Sequence, residues 1–419
     1  MLNTNTGARV TSRDTLVFIG GFEFPALNAA ATRIKAVASV FEKAGYRVVL
    51  IGNVRDSALG ADDLRPVSMA DTTAEVWEMG YPRSSREWLA KIISIGSLKR
   101  HIANRYSDRL AGIVCYNFPA IAQLDAARLA WRLGAAAIGD ISEWFANRRA
   151  TSMMSIIKNA DTWLRMNHIN RYMDGLITSS PYLTRTYTRD VDAILELPTL
   201  VSRDPAHIDR PLHASPDGTP KRLFFAGTGF DPELLKTDTE GLKDRLDWSL
   251  DLLAEAAHRG AEFRFDIYGA EKEKYLQICP QHRSLLETLG GKVTFHGRQP
   301  WAVVVDELAR ADFCFFLRKP TRVTLAGFPT KFAEAVTSDT PVLTNTLENL
   351  RPYMVEGRNS FAIDVDDREA GVKKLMHALT MATEDVLAMK AYCRTNDPFT
   401  LENFVDGARS MMKRIEEAR

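Results

Sequence analysis

The sequence predicts an α/β protein of two doubly wound, Rossmann-like domains facing a central cleft. Three observations lead there. Short β-branched runs alternate with longer amphipathic ones along the chain, the pattern of parallel strands joined by helical crossovers. The alternation stops at residues 202–220, which hold Pro205, Pro211, Pro216, Gly218 and Pro220, and then restarts; that composition marks a linker. A chain of 419 residues is also too long for one ordinary core, so two domains of roughly 200 residues are expected.

In the first domain (1–201) the expected strands are Leu16–Gly20, Arg47–Ile51, Gly112–Tyr116, Ala135–Ile138, Gly175–Thr178 and Ala193–Leu197, with helices including Ala30–Ala44 and Ala120–Leu133. In the second (221–399) they are Leu223–Ala226, Phe263–Tyr268, Val293–Phe295, Phe313–Leu317, Val342–Thr344 and Phe361–Val365. Helices are expected near Leu242–Arg259, Pro300–Arg310, Lys331–Thr337 and Arg368–Ala382, and a last one at Leu401–Ala418.

Composition narrows the class. Hydrophobic content of 45% and charged content of 26% are those of a soluble globular protein. With 54 basic against 53 acidic residues, no global charge draws the chain to nucleic acid. Cys115, Cys279, Cys314 and Cys393 are scattered, without metal or redox spacing, and a cytoplasmic setting is expected. Met1–Asp14 is polar, unlike a secretory signal, and no run approaches a membrane span. The basic amphipathic stretch Arg86–Arg109 fits a surface helix on a sheet, or one touching an anionic membrane surface.

The most informative stretch is Ala326-Gly-Phe-Pro-Thr-Lys-Phe-Ala-Glu-Ala335, followed by Thr340-Pro-Val-Leu-Thr344. It reads as a strand end, a glycine turn, a helix and a second strand. Gly327 would let backbone amides, with those of Phe328, approach a ligand, and the helix N-terminus favours a phosphate. Lys331 and Glu334, three apart, share a helical face. They suit a nucleotide's diphosphate and ribose, or form a solvated pair.

Here the chain resembles the donor site of GT-B glycosyltransferases, in particular the retaining, glycogen-synthase-like family four of bacterial polysaccharide enzymes. The pattern Pro-x-Lys-x-x-Glu, then Pro-Val before a strand, falls on Pro329, Lys331, Glu334, Pro341 and Val342. The resemblance implies a metal-independent hexosyltransferase that needs no cofactor. It would move a sugar from a nucleotide-diphosphate donor, most simply a UDP-sugar, to a glycan or lipid-linked hydroxyl acceptor with retention. Lys331 would face the diphosphate and Glu334 the ribose, while the departing diphosphate takes the acceptor proton. The C-terminal helix, 400–419, would cross back onto the first domain.

Two positions depart from the family's pattern. A family arginine usually follows Gly227 and forms a clamp with a lysine, here Lys243; Thr228 stands in the arginine's place. Arg318, Lys319 and Arg322 are the substitutes expected, although surface loops are often basic. The first glutamate of a Glu-x7-Glu pair falls on Ala326, so the donor sugar must be held otherwise. In the first domain Gly20-Gly21 reads as a ligand-facing loop or a tight turn. Glu143 and Trp144, after a strand, suit an acceptor sugar, or a capped helix with a half-buried ring. Asp364-Val-Asp366 reads as helix capping rather than a metal motif.

No dinucleotide glycine fingerprint, P-loop or zinc motif occurs in the sequence. The alternatives left open are a non-catalytic nucleotide-sugar-binding subunit and a sugar-nucleotide epimerase.

Overall fold

The computed structural model describes residues 13–23, 29–56, 58–69, 72–144, 152–203, 209–227, 230, 232 and 242–419. The first domain is an eight-stranded sheet: β1 Thr15–Glu23, β2 Arg47–Val54, β3 Leu64–Val67, β4 Glu75–Gly80, β5 Leu110–Tyr116, β6 Ala136–Ile141, β7 Gly175–Thr178 and β8 Ile194–Glu196. Its order is β3-β4-β2-β1-β5-β6-β7-β8, and every pairing is parallel except β3 with β4. The helices are α1 Ala29–Lys43, α2 Ser85–Ile93, α3 Leu98–Tyr106, α4 Ala120–Arg132, α5 Met153–Asn167 and α6 Pro181–Tyr187.

The second sheet comprises β9 Lys221–Ala226, β10 Phe263–Tyr268, β11 Val293–Gly297, β12 Phe313–Phe315, β13 Val342–Thr344 and β14 Ser360–Ala362. It is parallel throughout, in the order β11-β10-β9-β12-β13-β14. Its helices are α7 Leu246–His258, α8 Lys272–Ile278, α9 Arg283–Leu289, α10 Trp301–Arg310, α11 Arg322–Ala326, α12 Thr330–Thr337, α13 Arg368–Leu379 and α14 Thr383–Thr395. Strands buried on both faces read as continuous apolar runs; Leu16-Val-Phe-Ile19 and Phe313-Cys-Phe315 are buried throughout.

The last helix, α15 Glu402–Glu417, buries Ala408, Met411, Met412 and Ile415 in the first domain's core. Gly175 makes room for it, because a Cβ there would lie 2.7 Å from the Met411 and Ile415 methyl carbons. The segments linking the domains are tied together at Asp339. Its carboxylate takes Arg203 of the linker at 2.5 Å and Arg394 of α14 at 2.6 Å.

Four expectations need correction. Strands β3 and β4 were not expected, since Pro66 and the glutamates of β4 hide their pattern. The basic stretch Arg86–Arg109 is two helices, because Ser94 to Ser97 interrupt it. Ala326 ends the short helix α11 rather than a strand. Helix α7 begins at Leu246, so Lys243 precedes it in an extended segment where Asp244 forms an antiparallel bridge with Arg318. All four cysteines are free and buried. Among the described residues no helix is long and apolar enough to cross a membrane.

Candidate functional site

In an open parallel sheet, ligands bind beyond the carboxyl ends of the strands where the strand order reverses. In the second sheet that point lies between β9 and β12. Beyond β9, the Gly227 amide donates to the Tyr268 carbonyl at 2.9 Å. A Cβ on Gly227 would stand 2.9 Å from the Phe225 ring, so glycine makes room for that ring, and Lys331 Cε lies beside the strand end at an ordinary contact distance of 3.5 Å from the same point. Beyond β12, the Arg318 backbone is pinned on both sides by one amide. Its N–H donates to Asn345 Oδ1 and its carbonyl accepts from Asn345 Nδ2, each at 2.9 Å.

Asp244 joins the two cations. Its Oδ1 accepts from Arg318 Nε and its Oδ2 from Lys331 Nζ, both at 2.6 Å. Burial opposes ionisation of this carboxyl, but the adjacent Arg318 and Lys331 charges prevail and hold it well below the usual carboxylate range. Lys331 lies in the first turn of α12, whose N-terminal amides add to the positive potential.

One helical turn on, Glu334 borders a cleft of about 690 Å³ between the domains. Thr32 and Lys35 of α1, Phe224 and Ala226 of β9, and Trp301 of α10 also line it. The Glu334 side chain makes no hydrogen bond or ion pair to the described residues. Burial pushes its carboxyl above the ordinary value, and the Lys331 charge opposes this only in part. The result is a carboxylate whose acceptor capacity is free among the described residues, beside a cation cluster.

The first domain closes over this face. Lys243 Nζ meets Glu143 Oε1 at 3.1 Å, and the Arg322 guanidinium lies 5.2 Å from the Trp144 ring centre. Trp144 is half-buried, edge-on to Tyr182. Ser180 donates to the Ala326 carbonyl at 2.8 Å, and the Ser179 hydroxyl is shared between that carbonyl, at 3.0 Å, and the Ser142 carbonyl of its own domain, at 2.8 Å. The Ala326 side chain is fully buried within the first domain's apolar core. The position where the resembled family has a glutamate is thus a contact between the domains.

The structure therefore gathers Lys331, Arg318 and Gly227 at the switch point, with Glu334 on the same helix as Lys331. It sets Lys243, Glu143, Trp144 and Arg322 in a second group across the domain boundary. Other residues lie elsewhere. Gly21 is inside β1, exposed and facing open space, not in a turn. The Gly327 amide donates to the Val323 carbonyl at 3.2 Å, so it is not free for a ligand. Phe328 packs in an aromatic cluster with Tyr353 and Phe399. Arg245 pairs with Asp247 and stacks on Trp248. Lys319 is exposed. Thr228 lies outside the described residues. Asp364 accepts the amides of Asp366 and Asp367, and Asp367 caps α13. Asp244 escaped the sequence reading because nothing local marks a carboxylate that pairs across 74 and 87 positions.

Residues 238–381 match the family model described as Glycosyl transferases group 1. No curated protein sequence matches the chain. Solved structures align over nearly its whole length. The sucrose-phosphate synthase of Thermosynechococcus elongatus superposes with a TM-score of 0.61 at 13% identity, covering 97% of this chain and 100% of that one. Anabaena HepE in complex with UDP gives 0.57 at 12%, covering 97% and 99%. The Escherichia coli structure described as trehalose-6-phosphate bound with UDP-2-fluoro glucose gives 0.59 at 10%, covering 96% and 99%. This likeness shows the fold, GT-B.

Proposed function

We propose that the chain transfers a hexose from a nucleoside-diphosphate sugar, with UDP as the nucleotide, to a hydroxyl of a glycan or lipid-linked acceptor, with retention. The observation that carries this is the grouping of Lys331 and Arg318 at the switch point with Glu334 one turn away, whose carboxylate has no partner among the described residues. The cations suit a diphosphate and the carboxylate suits a ribose diol. The match over residues 238–381 and the UDP ligands of two similarly folded proteins support the same reading.

In this scheme the bond from the anomeric carbon to the β-phosphate oxygen breaks. A bond from that carbon to the acceptor oxygen forms on the same face, and the acceptor proton passes to the departing diphosphate. The protein's part is to stabilise charge growing on the leaving phosphate, by Lys331 and Arg318. Lys243 would join them once a substrate displaces Glu143, leaving Glu143 and Trp144 to the acceptor. Closure of the domains excludes water.

The test is release of UDP from UDP-sugars, compared with GDP- and ADP-sugars, by the intact protein and by Lys331→Ala. Losing a charge-assisted hydrogen bond of ~1.5–3 kcal/mol should cut turnover roughly 10- to 100-fold, with thermal stability little changed. Equal turnover by the variant would remove Lys331 from the site.

One observation favours a second reading, a non-catalytic nucleotide-sugar-binding subunit: Ala326 offers no carboxylate, and its carbonyl is taken by Ser179 and Ser180. UDP-sugar binding without any UDP release would decide for that reading.

The acceptor domain also presents a face suited to an anionic bilayer. Leu89 and Ile93 of α2 and Met153, Ile156 and Trp163 of α5 are exposed, beside the exposed cations Arg86 and Lys158. A peripheral place on a membrane's cytoplasmic side would bring a lipid-linked acceptor to the cleft.

A further inference from the structure

We propose that Asp244 is a positioning residue of the phosphate site, holding Arg318 and Lys331 in one rigid unit so that both act on the same phosphate. This rests on the nucleotide-diphosphate reading above and deepens it.

The carboxylate occupies only one donor of each cation. It takes Arg318 through Nε and Lys331 through a single hydrogen bond. The terminal guanidinium nitrogens of Arg318 have no hydrogen-bond partner among the described residues, and the ammonium of Lys331 has two donors left. Each partner comes from a different element: the extended segment before α7, the end of β12 and the first turn of α12. The Arg318 backbone is fixed by Asn345, and the neighbouring Arg245 amide donates to the Leu317 carbonyl at 2.7 Å. The Arg318 and Lys331 side chains are 8% and 16% exposed and that of Asp244 is 12%. In so dry a place a long cation without a partner would sample several rotamers, and the ordering cost would fall on ligand binding. Asp244 meets that cost before any ligand binds, at the expense of one unit of positive charge.

A merely structural salt bridge and a competitor for the phosphate both differ from this in one measurable ratio, the affinity for UDP over that for UMP. Only the second phosphate of UDP should depend on Asp244. Calorimetric titration of Asp244→Asn with UDP and UMP should show that ratio fall about tenfold, the worth of one charge-assisted hydrogen bond, with UMP affinity held. Asp244→Glu, which keeps the charge on a longer stem, should recover part of it. An unchanged ratio with a lower melting temperature makes Asp244 structural only and overturns the proposal. A raised ratio makes it a competitor and also overturns it.

Two buried cations without a counter-charge are strongly destabilising, so Asp244→Asn alone can fail to fold. The double variant Asp244→Asn with Arg318→Gln removes charge in balance, and its reference is Arg318→Gln alone. A further fall in the ratio supports positioning of Lys331, and no further fall overturns it. If the unaltered protein itself binds UDP no better than UMP, the diphosphate reading fails together with this one.

Discussion

Glu334 carries the clearest single-residue prediction. Its carboxyl is pushed above the ordinary value by burial, with Lys331 opposing in part, and only the ionised form offers full acceptor capacity to a ribose diol. Nucleotide affinity should therefore fall as pH drops through a range higher than an ordinary glutamate would set. The sign for stability is opposite to that of a salt-bridged acid. The folded chain holds this proton to higher pH than the unfolded chain, so the group costs stability as pH rises through that window. Glu334→Gln should bind UDP more weakly at neutral pH and lose the acid limb of the affinity profile. Titrations of UDP and of pyrophosphate across the acid range check this, because pyrophosphate binding should lack the limb in both proteins. At this scale the sequence was informative wherever chemistry is local: Lys331 and Glu334 share a helix face by spacing alone. Asp244 and the burial of Ala326 exist only through contacts distant in sequence, and no spacing rule reaches them.

At the scale of elements, α2 is unusual in having no buried side chain. Its N-terminus is capped by Ser84, whose hydroxyl accepts the Glu87 amide, so it is a formed helix that leaves Leu89 and Ile93 outward. Lys158 of α5 lies 5.7 Å from the Trp88 ring and joins the two helices into one face. A helix with apolar groups outward and cations beside them partitions to an anionic interface, where each cation adds about 1 kcal/mol. Sedimentation with vesicles of phosphatidylglycerol and phosphatidylcholine should therefore pull the protein down, and high salt should release it. Leu89→Ser with Ile93→Ser should abolish sedimentation without lowering the melting temperature, since neither side chain is buried. Retained binding by that variant would place the contact elsewhere. The basic amphipathic pattern was visible in sequence, but its division into α2 and α3 was not. Periodicity averaged across Ser94 to Ser97 conceals the break, as the proline and glutamates concealed β3 and β4.

For the whole molecule, the alternation of strands and helices was enough to read two parallel sheets, because buried parallel strands announce themselves as apolar runs. How the sheets meet was not readable. Polar side chains seal that meeting: Ser179 and Ser180 on the Ala326 carbonyl, Lys243 on Glu143, and Arg185 on Glu348. The two ion pairs are largely solvated and contribute little. The serine contact is buried, and removing both hydroxyls leaves a carbonyl without a donor at a cost of about 1–3 kcal/mol. Opening the domains restores that carbonyl to water, so this part of the cost falls on the closed state alone, while the Ser142 carbonyl loses its Ser179 donor in both states. Ser179→Ala with Ser180→Ala should thus favour the open form by roughly ten- to a hundredfold. Small-angle scattering should show a larger radius of gyration. Ser180 also caps α6, so a loss of about 1 kcal/mol in stability is expected alongside. UDP affinity should change little, because Lys331, Arg318 and Glu334 all belong to the second domain, whereas sugar transfer should fall with the population of closed molecules. An unchanged scattering profile with unchanged transfer would show that these hydroxyls do not hold the domains together.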